Sequence, residues 1–255
     1  ASQRRPATTV GAAVTMKVRR RPRLWTTAGL TVYISAWTTT TTTTPTRAQE
    51  ASGVSQQQTR REPEIRPLEL EAFASADAFR SRGVNGLHVG CGLSLPAGAL
   101  NTDLEGIGVP GGGRSSKDLA PLVVVDLGPT QPPRYFLEHD ATTPFPLADG
   151  AFDWVFSEHF VEHVPRDAAV LFFKEARRLL PRRLGGVVRV STPDLGLYVA
   201  GYVDPRGAFF QTRADAMTTG AMAGQNAHLA RASRAMMLND LFRGYGHQYI
   251  YDFDE

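Results

Sequence analysis

The sequence contains one cysteine, Cys91, so no disulfide can close within the chain and neither a thiolate zinc cluster nor a thiol redox pair can be built. Long apolar runs are missing as well. The most apolar stretch near the amino end, Leu24 to Trp37, is interrupted by Thr26, Thr27, Thr31 and Ser35. It falls short of the roughly 20 residues that a helix needs to cross a bilayer, so no stable membrane span is expected. Acidic residues are absent before Glu50, although eight basic ones lie there, and the remainder carries 20 basic against 25 acidic residues. The net charge of +3 therefore comes from a basic tail and not from a structured phosphate-binding face, and no nucleic-acid partner is expected.

Residues 1–66 read as a disordered basic and Thr-rich tail. Lys17 to Arg23 followed by Leu24 to Trp37 has the layout of a signal peptide, and the acid-free Arg/Thr composition equally suits an organelle transit peptide; the two readings stay open. Seven threonines, Thr38 to Thr44, and the polar stretch Ser55 to Pro67 offer nothing to a core.

From residue 67 onward the pattern changes. Leu70, Phe73, Ala76 and Phe79 predict a helix over Leu68 to Arg82. Short apolar runs follow, Leu87 to Val89, Ala99 to Thr102, Leu122 to Val125, Tyr135 to Leu137, Trp154 to Phe156 and Val187 to Val190, and read as strands of an α/β sheet. The helix Asp167 to Leu180 has one apolar stripe (Ala169, Phe172, Phe173, Ala176, Leu179, Leu180) and is bounded by Pro165 and by Pro181 with Gly185 and Gly186. Asp204 to Arg243 reads as helices, with Ala230, Ala232, Met236, Met237, Leu241 and Phe242 as apolar contacts.

The chemistry concentrates in a few places. Gly86-Leu-His-Val-Gly-Cys-Gly92 is a buried strand entering a glycine turn, where backbone N–H groups can approach a ligand. It is not the dinucleotide fingerprint, whose third glycine would fall at Leu95. Asp103 ends the next short strand, where a carboxylate can accept from both hydroxyls of a ribose; Asp126, ending a later strand, competes for that role. His139-Asp140-Ala141 closes another strand, and Trp154 to His163 runs through Ser157, Glu158 and His159.

These segments, with Asp140-Ala-Thr-Thr-Pro-Phe-Pro146 and Gly185-Gly-Val-Val-Arg-Val-Ser-Thr-Pro-Asp-Leu195, are ordered and collinear. Together they resemble class I S-adenosylmethionine-dependent methyltransferases of the methyltransferase domain 11 type, over roughly Gly83 to Tyr202. The resemblance implies a Rossmann-like methyltransferase sheet flanked by helices. It places the domain at 67–255, with a motif core at 83–202 and a helical part at 204–255. It implies S-adenosyl-L-methionine as cofactor: Gly90, Cys91 and Gly92 under its amino-acid part, Asp103 on the ribose, Asp140 and Ala141 at the adenine, and Ser157 and Glu158 near the transferring methyl group. The expected reaction is methyl transfer to an unidentified acceptor. A complete sheet of this kind has seven strands, the last two following a helix that would start near Asp252 to Glu255, so the resemblance further implies truncation at the C-terminus and an exposed sheet edge.

His159 is the candidate proton acceptor. His159 and His163, four apart, could share a metal, but no third ligand is evident and no metal is expected. His88 and Cys91 read as structural residues, and Gly106 to Gly113, without Gly-Lys-Ser/Thr, as a surface loop. His247, in the aromatic stretch Gly244 to Phe253, is a minor candidate for acceptor contact. The competing readings are a non-catalytic cofactor-binding domain of the same fold and a nicotinamide- or nucleotide-dependent α/β protein.

Overall fold

A computed structural model describes residues 25–27, 30–36, 63–73, 75–107, 120–182, 185–218 and 232–254. Lys17 to Arg23, the threonine run, most of Gly106 to Gly113, Arg183, Leu184 and Ala230 lie outside the described residues.

Among the described residues, nine strands form one mixed sheet. They are β1 (Trp25–Thr27), β2 (Leu30–Ala36), β3 (Glu64–Pro67), β4 (Gly86–Val89), β5 (Ala99–Asp103), β6 (Leu122–Asp126), β7 (Arg134–Glu138), β8 (Trp154–Glu158) and β9 (Gly186–Thr192), in the order β1-β2-β9-β8-β4-β5-β7-β6-β3. Six adjacent strands from β2 to β7 run parallel, while β1, β6 and β3 add antiparallel pairings at the edges. All six strands expected between residues 87 and 190 are present, within a residue or two of their expected bounds. β4 lies between β8 and β5 and is buried at every position, which explains its near-continuous apolar run.

Alternation divides the side chains between the two faces. Leu122, Val124 and Leu137 join the larger core with Phe79, Leu87, Phe152, Phe172 and Val188. Val123, Val125 and Phe136 join Cys91 and Ile107 in the smaller one. Helix α2 (Arg166–Leu179) covers the larger core with Ala169, Phe172, Ala176 and Leu179. The β4–β5 crossover, residues 90–98, is unusually short for parallel strands and contains no helix; Cys91 and the partly buried Leu95 pack beneath it. Close approach also fixes Gly86, where a Cβ would lie 2.0 Å from the Trp154 ring.

Three expectations change. The helix expected over 68–82 is a 3-10 turn, Leu70–Phe73, followed by α1 (Ala76–Arg80); the Ser75 hydroxyl accepts from Ala78 N at 3.2 Å and starts a new helix in mid-pattern. The segment expected as an unstructured tail supplies β1 and β2, and β3 crosses its boundary at residue 67. Finally, the edge of β9 is not open, because all seven residues of β2 pair with it in parallel. The β-branched Thr31, Val32 and Ile34 suit an extended strand.

The helical part begins earlier than the sequence suggests, with α3 (Leu195–Val203), then α4 (Ala208–Thr218) and α5 (Arg234–Arg243). Tyr198, Phe210, Ala214, Met237 and Leu241 form their shared core. Beyond α5 the chain returns to the 3-10 turn after β8 and to the start of α3: Gln248 N and Tyr249 N donate to Glu162 O, and Leu195 N donates to Tyr251 O. No described helix is long and apolar enough to cross a membrane.

Candidate active site

The carboxyl ends of β4, β5, β8 and β9 meet at one edge of the sheet, the position where parallel α/β sheets bind ligands. On its first side the turn Gly90-Cys91-Gly92 leaves β4. Gly90 N and Cys91 N both donate to Thr102 O, at 3.0 and 3.1 Å. Gly90 and Gly92 have φ of 68° and 52°, a backbone region that favours glycine. A Cβ on Gly90 would press on Phe160 at 3.0 Å, whereas one on Gly92 would meet nothing within 4 Å. The turn thus faces open space.

Asp103 braces that turn from β5. Its Oδ2 accepts from Gly92 N at 2.8 Å and its Oδ1 from Leu104 N at 2.8 Å. A carboxylate has about four lone-pair sites, so capacity for further donors remains. Asp126, the competing residue, ends a strand of opposite direction two places away, accepts from Gly128 N and pairs with Arg66 at 3.3 Å. It stands at the opposite end of the sheet from Gly92. Leu104, the next residue after Asp103, is an apolar side chain left 63% exposed.

Asp140 and Ala141 follow β7, close in sequence to His139, whose N–H donates to Asp103 O at 2.9 Å. Hydrogen bonds from the Thr142 hydroxyl and N–H, at 2.6 and 2.9 Å, hold the Asp140 carboxyl below its ordinary value. Ala141 is buried. Cys91 is buried too, and desolvation pushes its thiol up to about 12, as fits a packing residue and not a nucleophile. His88 is equally internal: its Nδ1 meets Asn101 Oδ1 at 3.2 Å, its ring stacks on Phe156, and burial lowers its basicity.

The second side is made of side chains. β8 ends in Ser157, fully buried, and the half-buried Glu158. The Ser157 hydroxyl has no hydrogen-bond partner among the described residues. His159 then turns the chain with φ 53°, a strained value for a residue with a Cβ, while its N–H donates to Ser191 O on β9 at 2.9 Å. That turn aims the imidazole back at Glu162: Nδ1 and Oε1 are 2.7 Å apart. Glu162 is fully buried in the 3-10 turn Val161–His163, and its Oε2 accepts from the Thr192 hydroxyl at 3.0 Å. Burial opposes its charge, yet the His159 hydrogen bond leads the contacts that hold the carboxyl below its ordinary value. With Nδ1 engaged, Nε2 is the ring nitrogen left to accept a proton, on a side chain that is half exposed.

Here the fold adds what the sequence could not. His247, 84 residues after His163, lies against it, with ring centroids 4.8 Å apart. One ligand atom from each of Glu162, His163 and His247 falls within 4.8 Å of the others. The cluster contains His163 but not His159, so it differs from the His159–His163 pair considered in the sequence. Burial is the main influence lowering the basicity of His163, with the nearby His247 adding to it.

Residues 87–188 match the family model described as a methyltransferase domain. The span runs from within β4 into β9 and includes the carboxyl ends of β4, β5, β7 and β8, whereas that of β9, at Thr192, lies beyond it. The matched family is one of class I S-adenosylmethionine-dependent methyltransferases, and the match covers 102 of the 255 residues. Neither the curated proteins nor the solved structures give a match.

Proposed function

We propose that this protein transfers a methyl group from S-adenosyl-L-methionine to an oxygen of a hydroxyl acceptor, with His159 as the general base. The observation that carries the reading is the 2.7 Å contact between His159 Nδ1 and the buried Glu162, beside the methyltransferase glycine turn. A carboxylate that fixes one imidazole nitrogen as donor leaves the other as acceptor. An amine acceptor attacking in its neutral form would have no need of such a pair.

Several features of the chain fit the cofactor. The open space beside Gly92 suits close approach of its amino-acid part to backbone N–H groups. Asp103 has acceptor capacity for ribose hydroxyls, and the exposed Leu104 offers an apolar surface to the adenine, with Asp140 able to accept from its exocyclic amine. Ser157 and Glu158 border the region between this side and His159. The bound cofactor supplies an electrophilic methyl carbon with a neutral thioether as leaving group. The chain's own task is then positioning and proton removal. His159 Nε2 accepts the acceptor's proton as its oxygen attacks, and Glu162 stabilises the imidazolium through the same hydrogen bond. Thr192, donating to the second oxygen of Glu162, keeps that carboxylate in place.

The test is methyl transfer to a panel of hydroxyl and amine compounds by the full chain and by His159→Ala, with S-adenosylhomocysteine affinity measured on both. Turnover on a hydroxyl compound that falls in the variant while affinity is kept supports the reading. Equal turnover by both proteins would remove His159 as base.

A further inference from the structure

We infer that Glu162, His163 and His247 form a binding site for one divalent transition-metal cation, placed to hold the acceptor's oxygen. Two imidazoles and one carboxylate are the donor set that such ions favour, and three protein ligands leave coordination positions for an exchangeable oxygen. The ligand atoms lie within 4.8 Å of one another. A tetrahedral ion about 2.1 Å from each would space them about 3.4 Å apart, so the ligand atoms would close by up to about 1.4 Å on binding.

The surroundings carry the inference further than proximity does. Metal-ligating histidines characteristically commit their second ring nitrogen to a carbonyl or carboxylate, which fixes tautomer and orientation. His247 does so with Leu241 O, 2.6 Å from its Nδ1. His163 hydrogen-bonds the backbone of Tyr245. Glu162 is likewise held, Oε1 by His159 and Oε2 by Thr192, and each oxygen keeps a lone pair for an ion. The chain also pins the two segments together: Gln248 N donates to Glu162 O at 2.7 Å, and Gln248 Nε2 to His163 O at 2.8 Å. The two non-glycine residues of positive φ among the described residues, His159 and Tyr245, stand on either side of the cluster. Each aims a segment into it.

A cation there would lower the pKa of a coordinated hydroxyl and orient its oxygen, with the released proton passing to His159 Nε2. This role rests on the methyl-transfer reading above. Binding of the ion does not.

The experiment uses the full chain without a histidine tag, treated with chelator and titrated with Zn²⁺ by calorimetry, alongside Co²⁺ followed by its visible spectrum. The expected result is one Zn²⁺ per chain and a Co²⁺ spectrum of low-symmetry coordination. His247→Ala and Glu162→Gln, each shown to be folded by circular dichroism, should bind at least about tenfold more weakly, whereas His139→Ala, which alters a histidine outside the cluster, should bind as the parent does. If Glu162→Gln fails to fold, His163→Gln takes its place. Absence of stoichiometric Zn²⁺ binding, or equal binding by parent and His247→Ala, overturns the site. Titration with S-adenosylhomocysteine in parallel separates the two claims: Zn²⁺ bound without the nucleoside ligand supports the site and removes its role in methyl transfer.

Discussion

The two sides of the carboxyl edge are built in opposite ways. Around Gly90 to Asp103 the site consists mainly of backbone, shaped by two glycines and one carboxylate that closes a local turn. Around His159 it consists of side chains gathered from β8, β9 and the chain beyond α5. A backbone cradle suits a ligand shared by a whole family, whereas a side-chain cluster suits a partner particular to one protein. The difference teaches where variation in function is expected to reside.

The largest expected effect lies on the side-chain side. His159→Ala should lower kcat by about 10²- to 10⁴-fold, the usual worth of a general base, while S-adenosylhomocysteine affinity stays within about twofold. A matched loss of affinity would show that the two sides are not separable. On the backbone side, Asp103→Ala removes charge-assisted hydrogen bonds worth about 1.5–3 kcal/mol, so calorimetry should find cofactor affinity about 10- to 100-fold weaker. Asp126→Ala, at the far end of the sheet, should leave that affinity unchanged. An effect of Asp126 equal to that of Asp103 would reverse the assignment.

Beneath both sides lies the sheet itself. Gly86→Ala drives a Cβ into the Trp154 ring and should cost about 1–3 kcal/mol of stability in denaturant unfolding, with a smaller residue at Trp154 restoring part of it. The smallest effect concerns a feature away from the site. The Arg178 hydrogen bond, ahead of all other influences, holds the Glu175 carboxyl below its ordinary value of 4.5. A carboxyl of depressed pKa contributes stability that is present above its unfolded value and is lost as pH falls through the folded one. Arg178→Leu should therefore lower the urea midpoint at pH 7 more than at pH 3. An equal loss at both values would assign the contribution to packing.

Legibility in the sequence followed the same division. The six strands from β4 to β9 and helix α2 were readable because their signals are local: a buried apolar run, or a stripe at helical spacing. The glycine turn and Asp103 lie only eleven residues apart, and their hydrogen bond closes within that span. Nothing local reveals that the Glu162 carboxylate faces both His159 and Thr192, the latter 30 residues on. His247 reaches His163 across 84 residues through the packing of α3, α4 and α5, a tertiary juxtaposition with no spacing signal. The edge strand β2 was obscured for another reason. Its short apolar run after a basic stretch satisfies targeting and strand patterns equally, and only pairing with β9 distinguishes the strand.

The central claim, that the glycine turn and Asp103 bind the sulfonium nucleoside, is tested most directly by isothermal titration of residues 1–255 with S-adenosylmethionine, S-adenosylhomocysteine and NAD. The account predicts saturable one-to-one binding of both sulfur ligands and none of NAD. Binding of NAD in their place, or of no ligand by a chain with a cooperative unfolding transition, would contradict it.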